Sequence, residues 1–154
     1  MNKASPQTSI VVNNLHQQII NSYFSHLNDH NFEEVANLFS LQGHLYPPFE
    51  KGICGRAAIR QYLEKEAIGL QAFPQSINVQ PNSTGYISNE DSQIYYQIIG
   101  YVKTSFFTVN VGWSIQLNSE QEIVSVEVKL LAELQELLGL KVMKIGIVPN
   151  VMLQ

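Results

Sequence analysis

The sequence predicts an α+β domain in which helices come first and a run of mainly antiparallel strands follows. Up to about residue 70, apolar residues recur at a spacing of three to four, which is typical of amphipathic helices. Beyond Pro74 the spacing of apolar residues changes to two, which is typical of strands. Because helices and strands are grouped instead of alternating, the order argues against a doubly wound parallel sheet.

Three helices are predicted in the first half of the chain. The first runs from about Thr8 to Leu27. Its apolar stripe includes Leu15, Ile19, Tyr23 and Leu27. Asn31 is the predicted N-cap of the second helix, whose inward residues are Val35, Leu38 and Phe39. The third helix runs from about Arg56 to Leu70.

Between the second and third helices, the sequence predicts a short strand and a loop. The strand covers His44 to Tyr46 and ends at Pro47-Pro48, since proline cannot donate to a sheet. The loop holds Cys54 between two glycines, Gly52 and Gly55.

The strand from Phe107 to Leu117 has the clearest pattern in the chain. Apolar and polar residues alternate along its whole length, so one face is predicted to be buried and the other exposed. The remaining predicted strands are Ser76–Gln80, Thr84–Ser88, Gln93–Lys103 and Ile123–Leu130. A short closing helix is predicted from Ala132 to Leu138.

Composition excludes several classes of function. Only 14% of residues are charged and the net charge is −4, which gives no attraction for nucleic acid. Cys54 is the single cysteine, so no internal disulfide is possible and a reducing compartment is expected. No apolar run is long enough for a membrane-spanning helix, and the N-terminus lacks a signal-peptide core. The sequence therefore predicts a cytoplasmic protein without stable membrane insertion.

No pattern of catalytic or metal-binding residues is evident. The four histidines lack acidic or cysteine partners at ligand spacing, and Cys54 has no base near it in the sequence. Glu127 shares a strand face with Lys129, which predicts an ion pair on the solvent side. Glu66 follows the apolar stripe of the third helix by three positions, so its carboxylate could be partly inside; Glu66 or Asp29 would be the general base of an enzyme.

Two aromatic residues combine an apolar body with a hydrogen-bond donor. Tyr23 lies in the middle of the first helical stripe, and Trp113, the only tryptophan, lies in the middle of the most regular strand. Such donors find a partner when buried. The residues alone leave two interpretations open: core aromatics bonded to backbone, or donors to a bound ligand.

Several motifs resemble the NTF2-like (SnoaL-like) superfamily, and within it the C-terminal domain of orange carotenoid proteins and its stand-alone cyanobacterial homologues. The similarity covers about residues 14 to 140. The motifs that carry it are Asn31-Phe32-Glu33, Tyr46-Pro47-Pro48-Phe49, Gly55-Arg56-Ala57-Ala58-Ile59, Lys103-Thr104-Ser105-Phe106-Phe107 followed by Trp113, and Lys129-Leu130-Leu131-Ala132. The resemblance implies an NTF2-like cone, with three N-terminal helices packed on a curved mixed sheet. It also implies an N-terminal extension over 1–13, a domain over 14–140 and an apolar tail over 141–154.

The resemblance further implies a non-catalytic protein that binds a ketocarotenoid of the canthaxanthin or echinenone type, as a carrier or a photoprotective module. By motif position, Tyr23 and Trp113 donate hydrogen bonds to the keto oxygen. The residues implied to line the tunnel are Leu27, Cys54, Ala67, Leu70, Val109 and Val111. The implied partners are a second copy of the chain and helical carotenoid-binding domain homologues.

The chain also departs from the family pattern. Phe106-Phe107 replaces a hairpin pair that carries a thiol in some relatives, and Glu133-Leu134 replaces a Ser-Pro. The apolar tail would cap or plug the tunnel. Two alternatives therefore remain: an isomerase or dehydratase of the same superfamily acting on a small apolar substrate, and a dimerisation module with a vestigial pocket.

Overall fold

The computed structural model of the protein describes residues 14–80 and 93–131. The predicted N-terminal extension, the strand Thr84–Ser88, the closing helix and the apolar tail lie outside these ranges. The described helices are α1 (Asn14–Asn28), α2 (Phe32–Asn37) and α3 (Arg56–Glu66). The strands are β1 (Phe39–Tyr46), β2 (Ile53–Cys54), β3 (Gln71–Gln80), β4 (Ile94–Lys103), β5 (Thr108–Leu117) and β6 (Ile123–Leu130).

The strands form one six-stranded sheet in the order β2-β1-β6-β5-β4-β3. Neighbouring strands are antiparallel except for β1 and β6, which run parallel. The sheet is therefore mixed and mainly antiparallel, as predicted. β4 and β5 pair without interruption, and Ile98 lies opposite Trp113.

The alternation of β5 explains where the core lies. Val109, Val111, Trp113, Ile115 and Leu117 are all buried, which confirms the inward face predicted from the sequence. On the opposite face of β6, Lys129 Nζ lies 3.8 Å from Glu127 Oε1, and both side chains are exposed. The predicted solvent-side ion pair is confirmed.

The buried face of α1 covers part of the inner face of the sheet. Its core residues are Ile20, Tyr23, Phe24 and Leu27. The end of the helix is tied to β3 by the Asn28 amide, which donates to Ala72 O (2.9 Å) and accepts from Ala72 N (2.7 Å). These two bonds complete the backbone pairing of β3 where no further strand lies beside it.

The helices differ from the prediction in length, and the strand predicted between the second and third helices is longer than expected. Among the described residues, α2 has only six residues, and β1 and β2 lie between α2 and α3, so the helices do not all precede the sheet. Phe39 was predicted on α2 but begins β1, because Ile123 N donates to Leu38 O (2.9 Å) and Phe39 pairs with Ile123. A strand distant in sequence therefore ends the helix.

Two boundaries also differ. α3 ends at Glu66 instead of Leu70, with Ala67 as its C-cap. Cys54 was predicted in a loop but lies in β2, where it pairs with His44. Within residues 14–80 and 93–131, none of the helices has the length and apolar character that a membrane span requires.

Candidate functional site

A cavity of about 150 Å³ lies between the helices and the inner face of the sheet. Its walls are almost entirely apolar, with Glu66 and Thr104 as the polar exceptions besides the aromatic donors. The lining residues are Tyr23, Leu27, Leu45, Pro47, Pro48, Phe49, Tyr62, Leu63, Glu66, Ala67, Leu70, Val102, Thr104, Phe107, Val109, Val111, Trp113, Val128 and Leu130.

The structure brings all the predicted binding residues except Cys54 to this cavity. Tyr23 and Leu27 face it from successive turns of α1. Val109, Val111 and Trp113 occupy alternate positions of β5 and so share its inner face. Ala67 and Leu70 follow the end of α3 and complete the wall.

Cys54 lies away from the cavity. Strand alternation in β2 turns Ile53 toward the core and leaves Cys54 exposed. Its thiol donates a weak hydrogen bond to Gln42 O, with an Sγ–O distance of 3.8 Å. Cys54, which the resemblance assigned to the tunnel lining, therefore lies on the edge of the sheet in this chain.

Tyr23 and Trp113 are the most buried of the lining side chains that carry a polar group. Each side chain is only 2% exposed. Neither the Tyr23 hydroxyl nor the Trp113 indole N–H has a hydrogen-bond partner among the residues that the structure describes. Burial raises the pKa of Tyr23 well above its ordinary value, so the hydroxyl keeps its proton. Both groups are available as donors to an acceptor inside the cavity.

Phe24 holds the two donors in place, and sequence reasoning did not single it out. Its ring contacts Trp113 edge-to-face, with centroids 4.8 Å apart, and Tyr23 in the same way at 5.1 Å. Edge-to-face aromatic pairs contribute about 0.5–1.5 kcal/mol beyond area burial. Phe24 follows Tyr23 in the sequence, and only the fold shows that Trp113 meets it.

The mouth of the cavity carries the acidic groups. The Tyr62 hydroxyl donates to Glu50 Oε2 at 2.6 Å. Burial, that hydrogen bond and the charges of Glu50 and Glu66 together raise the pKa of Tyr62. Glu66 lines the cavity but is exposed, so its carboxylate lies at the mouth and not in the interior.

Three exposed apolar side chains lie in the cavity lining or next to it in the sequence: Phe49 lines the cavity, Ile68 follows Ala67 and Phe106 precedes Phe107. Phe49, Ile68 and Phe106 are 51%, 70% and 81% exposed. Phe106 belongs to the turn between β4 and β5, where Thr104 Oγ1 accepts the backbone N–H groups of Phe106 (3.1 Å) and Phe107 (3.2 Å). We refer to Phe49, Ile68 and Phe106 as the apolar rim.

Several lining residues were not predicted as part of the site. Val102, Phe107, Val128 and Leu130 lie on strand faces whose alternation was visible in the sequence. Leu45 lies on β1, whose first half was not predicted as strand. In the part of the chain that the structure describes, no group of three His, Cys, Asp or Glu side chains is placed as metal ligands would be.

No family model matches the sequence. The chain is 31% identical over 140 residues to the orange carotenoid-binding protein of Limnospira maxima and 29% identical over 137 residues to that of Synechocystis. These matches cover 88% and 86% of the chain but only 42% and 41% of the relatives. The chain therefore spans about two fifths of the curated relatives it matches.

Comparison with solved structures also finds similarity to orange carotenoid proteins. The orange carotenoid protein of Anabaena (Nostoc), whose structure is described as binding canthaxanthin, superposes with a TM-score of 0.67 at 30% identity, over 83% of this chain and 39% of that one. An NTF2-like protein of unknown function from Cytophaga hutchinsonii superposes with a TM-score of 0.52 at 14% identity, over 75% of this chain and 88% of that one. The chain therefore has the fold of the NTF2-like superfamily, and within that superfamily it resembles the C-terminal domain of the orange carotenoid proteins.

Proposed function

We propose that this protein is a non-catalytic ketocarotenoid-binding protein, a carrier or photoprotective module that holds one keto ring in its cavity. The observation that carries the proposal is the pair of buried donors, Tyr23 and Trp113, which have no partner among the described residues and line an apolar cavity. A hydrogen bond from each of these donors to a keto oxygen in the cavity would contribute about 1 kcal/mol net.

The size of the cavity supports enclosure of one terminal ring of the carotenoid and not of its whole length. An apolar cavity of about 150 Å³ accommodates a six-membered ring such as benzene. A carotenoid is far longer, so the polyene would leave through the mouth. The apolar rim suits that path, because exposed aromatic and aliphatic side chains can cover part of the emerging chain.

Affinity and selectivity would come from different residues. Burying apolar ring surface contributes about 25 cal/mol per Å², so Leu27, Val109 and Val111 supply most of the binding free energy. Each neutral hydrogen bond contributes only about 1 kcal/mol net. Tyr23 and Trp113 would therefore select a ring that carries an acceptor, because a ring without one leaves both donors unpaired.

We also propose that the working form is a homodimer, in which the second copy shields the protruding polyene, and that a helical carotenoid-binding domain homologue exchanges pigment with it. The low charge of the chain and the exposed apolar rim support contacts of this kind.

The test is to produce the protein in a host that makes canthaxanthin and to record its visible spectrum after purification. We expect a bound pigment whose absorption is shifted to the red, because donors at the keto oxygen polarise the polyene. Tyr23→Phe and Trp113→Phe should each shift the band back to the blue, with pigment still bound through the apolar wall.

Tyr96→Phe is the matched control for these variants. It removes a buried hydroxyl that bonds to His16 Nδ1 (2.7 Å) and does not line the cavity, so its pigment band should equal that of the wild type. A folded wild-type protein that remains colourless would contradict the proposal. A colourless protein that is dimeric would instead indicate a dimerisation module that uses no ligand.

A second candidate function is an isomerase or dehydratase, and Glu66 is the observation that favours it. Its carboxylate lies at the cavity mouth, near the Tyr62–Glu50 pair, where it could remove a proton from a small ketone. Incubation with a cyclic β,γ-unsaturated ketone, followed by ultraviolet absorption of the conjugated product, tests this. Turnover that disappears in Glu66→Gln would favour the enzyme over the binding protein.

A further inference from the structure

A second hollow, of about 400 Å³, adjoins the cavity where β1 ends. We call it the outer hollow. Residues that line both hollows form the boundary between them, and these are Pro47, Pro48, Phe49, Val128 and Leu130. The other walls of the outer hollow are exposed side chains, namely Tyr46, Glu50, Glu127 and Lys129. The turn that follows β1 therefore lies between the apolar cavity and a polar hollow open to solvent.

Phe49 occupies the middle of this turn in a conformation that bulky side chains rarely adopt. Its φ is +65°, in the left-handed region. Its side chain lines both hollows and is 51% exposed, so it forms part of the wall between the cavity and solvent. Backbone strain of this kind persists only where surrounding contacts hold it. The contacts that hold Phe49 in place therefore decide whether the cavity is closed at this point.

Both ends of the turn are fixed. Pro47 is buried, and its ring restricts φ. At the other end, Gly52 packs so closely against the Tyr46 ring that an added Cβ would overlap that ring. Movement of the turn is therefore concentrated at Phe49 and Glu50.

Tyr62 joins this turn to α3. Its hydroxyl donates to Glu50 Oε2 at 2.6 Å, and the residue itself lines the cavity. The turn contributes Phe49 to the cavity wall, and α3 contributes Leu63 and Glu66. The bond therefore connects two separate parts of that wall. A hydrogen bond to a carboxylate is stronger than one between neutral groups, although solvent reduces its effect here.

We infer that the Tyr62–Glu50 hydrogen bond keeps the cavity closed at Phe49 and so controls how fast molecules enter and leave it. Without the bond, relief of the strain at Phe49 favours movement of the turn away from α3, and the cavity then opens into the outer hollow. Access to the cavity matters for any apolar ligand, so this role does not depend on the proposed function.

Trp113, the only tryptophan, reports access to the cavity in the empty protein. It lines the cavity and is only 2% exposed, so acrylamide, a small neutral quencher, reaches it mainly when the cavity opens. The bimolecular quenching constant is measured from fluorescence lifetimes under conditions where the protein is fully folded. Tyr62→Phe and Glu50→Ala should each raise it by roughly two- to fivefold, as expected for loss of one partly exposed hydrogen bond.

Two further variants test the bond itself. A glutamine carbonyl still accepts from the Tyr62 hydroxyl, so Glu50→Gln should stay close to the wild type. The double variant Tyr62→Phe/Glu50→Ala should not exceed the single variants, because all three lack the same bond. Additive effects would show that the two residues act separately and would overturn the inference.

The matched controls are Tyr96→Phe, which also removes a tyrosine hydroxyl, and Glu64→Ala, which also removes an exposed carboxylate and lies on α3. Neither residue lines the cavity, so both variants should be quenched like the wild type. Unchanged quenching in Tyr62→Phe and Glu50→Ala would contradict the role of the bond, and so would an equal rise in Tyr96→Phe. Failure to bind canthaxanthin would instead contradict only the proposed function, since the quenching is measured on the empty protein.

Discussion

Buried polar side chains in this protein are of two kinds. His16 and Tyr96 satisfy each other within the core, with 2.7 Å between His16 Nδ1 and the Tyr96 hydroxyl and a perpendicular contact of their rings. Tyr23 and Trp113 lie at similar depth but face the cavity without such a bond among the described residues. The first pair is explained by stability, and the second pair is accounted for by the ligand that we propose.

The His16 side chain should make stability depend on pH. Burial lowers the pKa of His16, and a hydrogen bond with the Asn118 backbone opposes that effect only in part. The unfolded state therefore binds a proton more readily than the folded state. The stability that neutral, buried His16 contributes is fully present above the unfolded-state pKa of about 6.5. It is lost as the pH falls toward the lower pKa of the folded state.

We therefore expect the free energy of unfolding in urea to fall between about pH 7.5 and pH 5.5. The measurement is repeated on His16→Gln, which keeps a buried hydrogen-bonding side chain but has no titration in this range. The fall should be smaller in the variant. An equal fall in both proteins would assign the pH dependence to other groups.

The end of α1 is the element on which the site most depends. Tyr23 and Leu27 take their positions from this helix, and Asn28 ties its last turn to Ala72 with two hydrogen bonds. A third bond runs from Gln71 Nε2 to Asn28 O at 3.0 Å. The junction between α1 and β3 therefore sets where the Tyr23 hydroxyl lies relative to β5.

Asn28→Ala should lower the free energy of unfolding by about 1–3 kcal/mol, because it leaves two backbone groups of Ala72 without partners. Asn21→Ala is the comparison, since Asn21 lies on the same helix at its surface, where it accepts a hydrogen bond from Gln17 Nε2. It should cost less than about 0.5 kcal/mol. Chemical denaturation of both variants decides whether the junction is the stabilising contact.

Elements with long, regular patterns were predictable from the sequence, and short ones were not. The alternation of β5 fixed its inner face because ten residues repeat the same pattern. Cys54 was misassigned because β2 has only two residues, which is too short for a strand pattern to show. Phe39 was misassigned because β1 is held by β6, a partner far away in the sequence. Local propensity carries no information about such partners.

The same limit applies to the site. Tyr23 and Trp113 were identifiable because each is a donor in the middle of an apolar pattern. Phe24 has no donor and is one apolar residue among several on α1. Its role in holding the two donors arises from packing against Trp113, which no spacing in the sequence encodes.

At the scale of the whole molecule, the apolar rim predicts self-association through the cavity mouth. Large exposed apolar patches on soluble proteins mark interaction sites. Phe106 is 81% exposed and precedes Phe107, which lines the cavity, whereas Leu41 is 71% exposed on β1 and has no such neighbour in the cavity lining. Because the two side chains are similarly exposed but lie at different places on the surface, substituting each one tests which surface forms the dimer.

Phe106→Ser should weaken the proposed homodimer by about tenfold or more in sedimentation equilibrium, because an aromatic anchor at an interface contributes over 1 kcal/mol. Leu41→Ser should leave the dimerisation constant unchanged. A stronger effect of Leu41→Ser would place the interface on the outer face of the sheet.

The parallel pairing of β1 with β6 has a consequence for synthesis on the ribosome. β1 is translated early, but its sheet partner follows roughly 80 residues later, so the chain must close a long loop before this pair forms. Leu45 on β1 and Val128 on β6 form part of the same cavity wall. That wall is absent from every nascent chain that stops short of β6, so uptake of the proposed pigment would have to follow synthesis of β6.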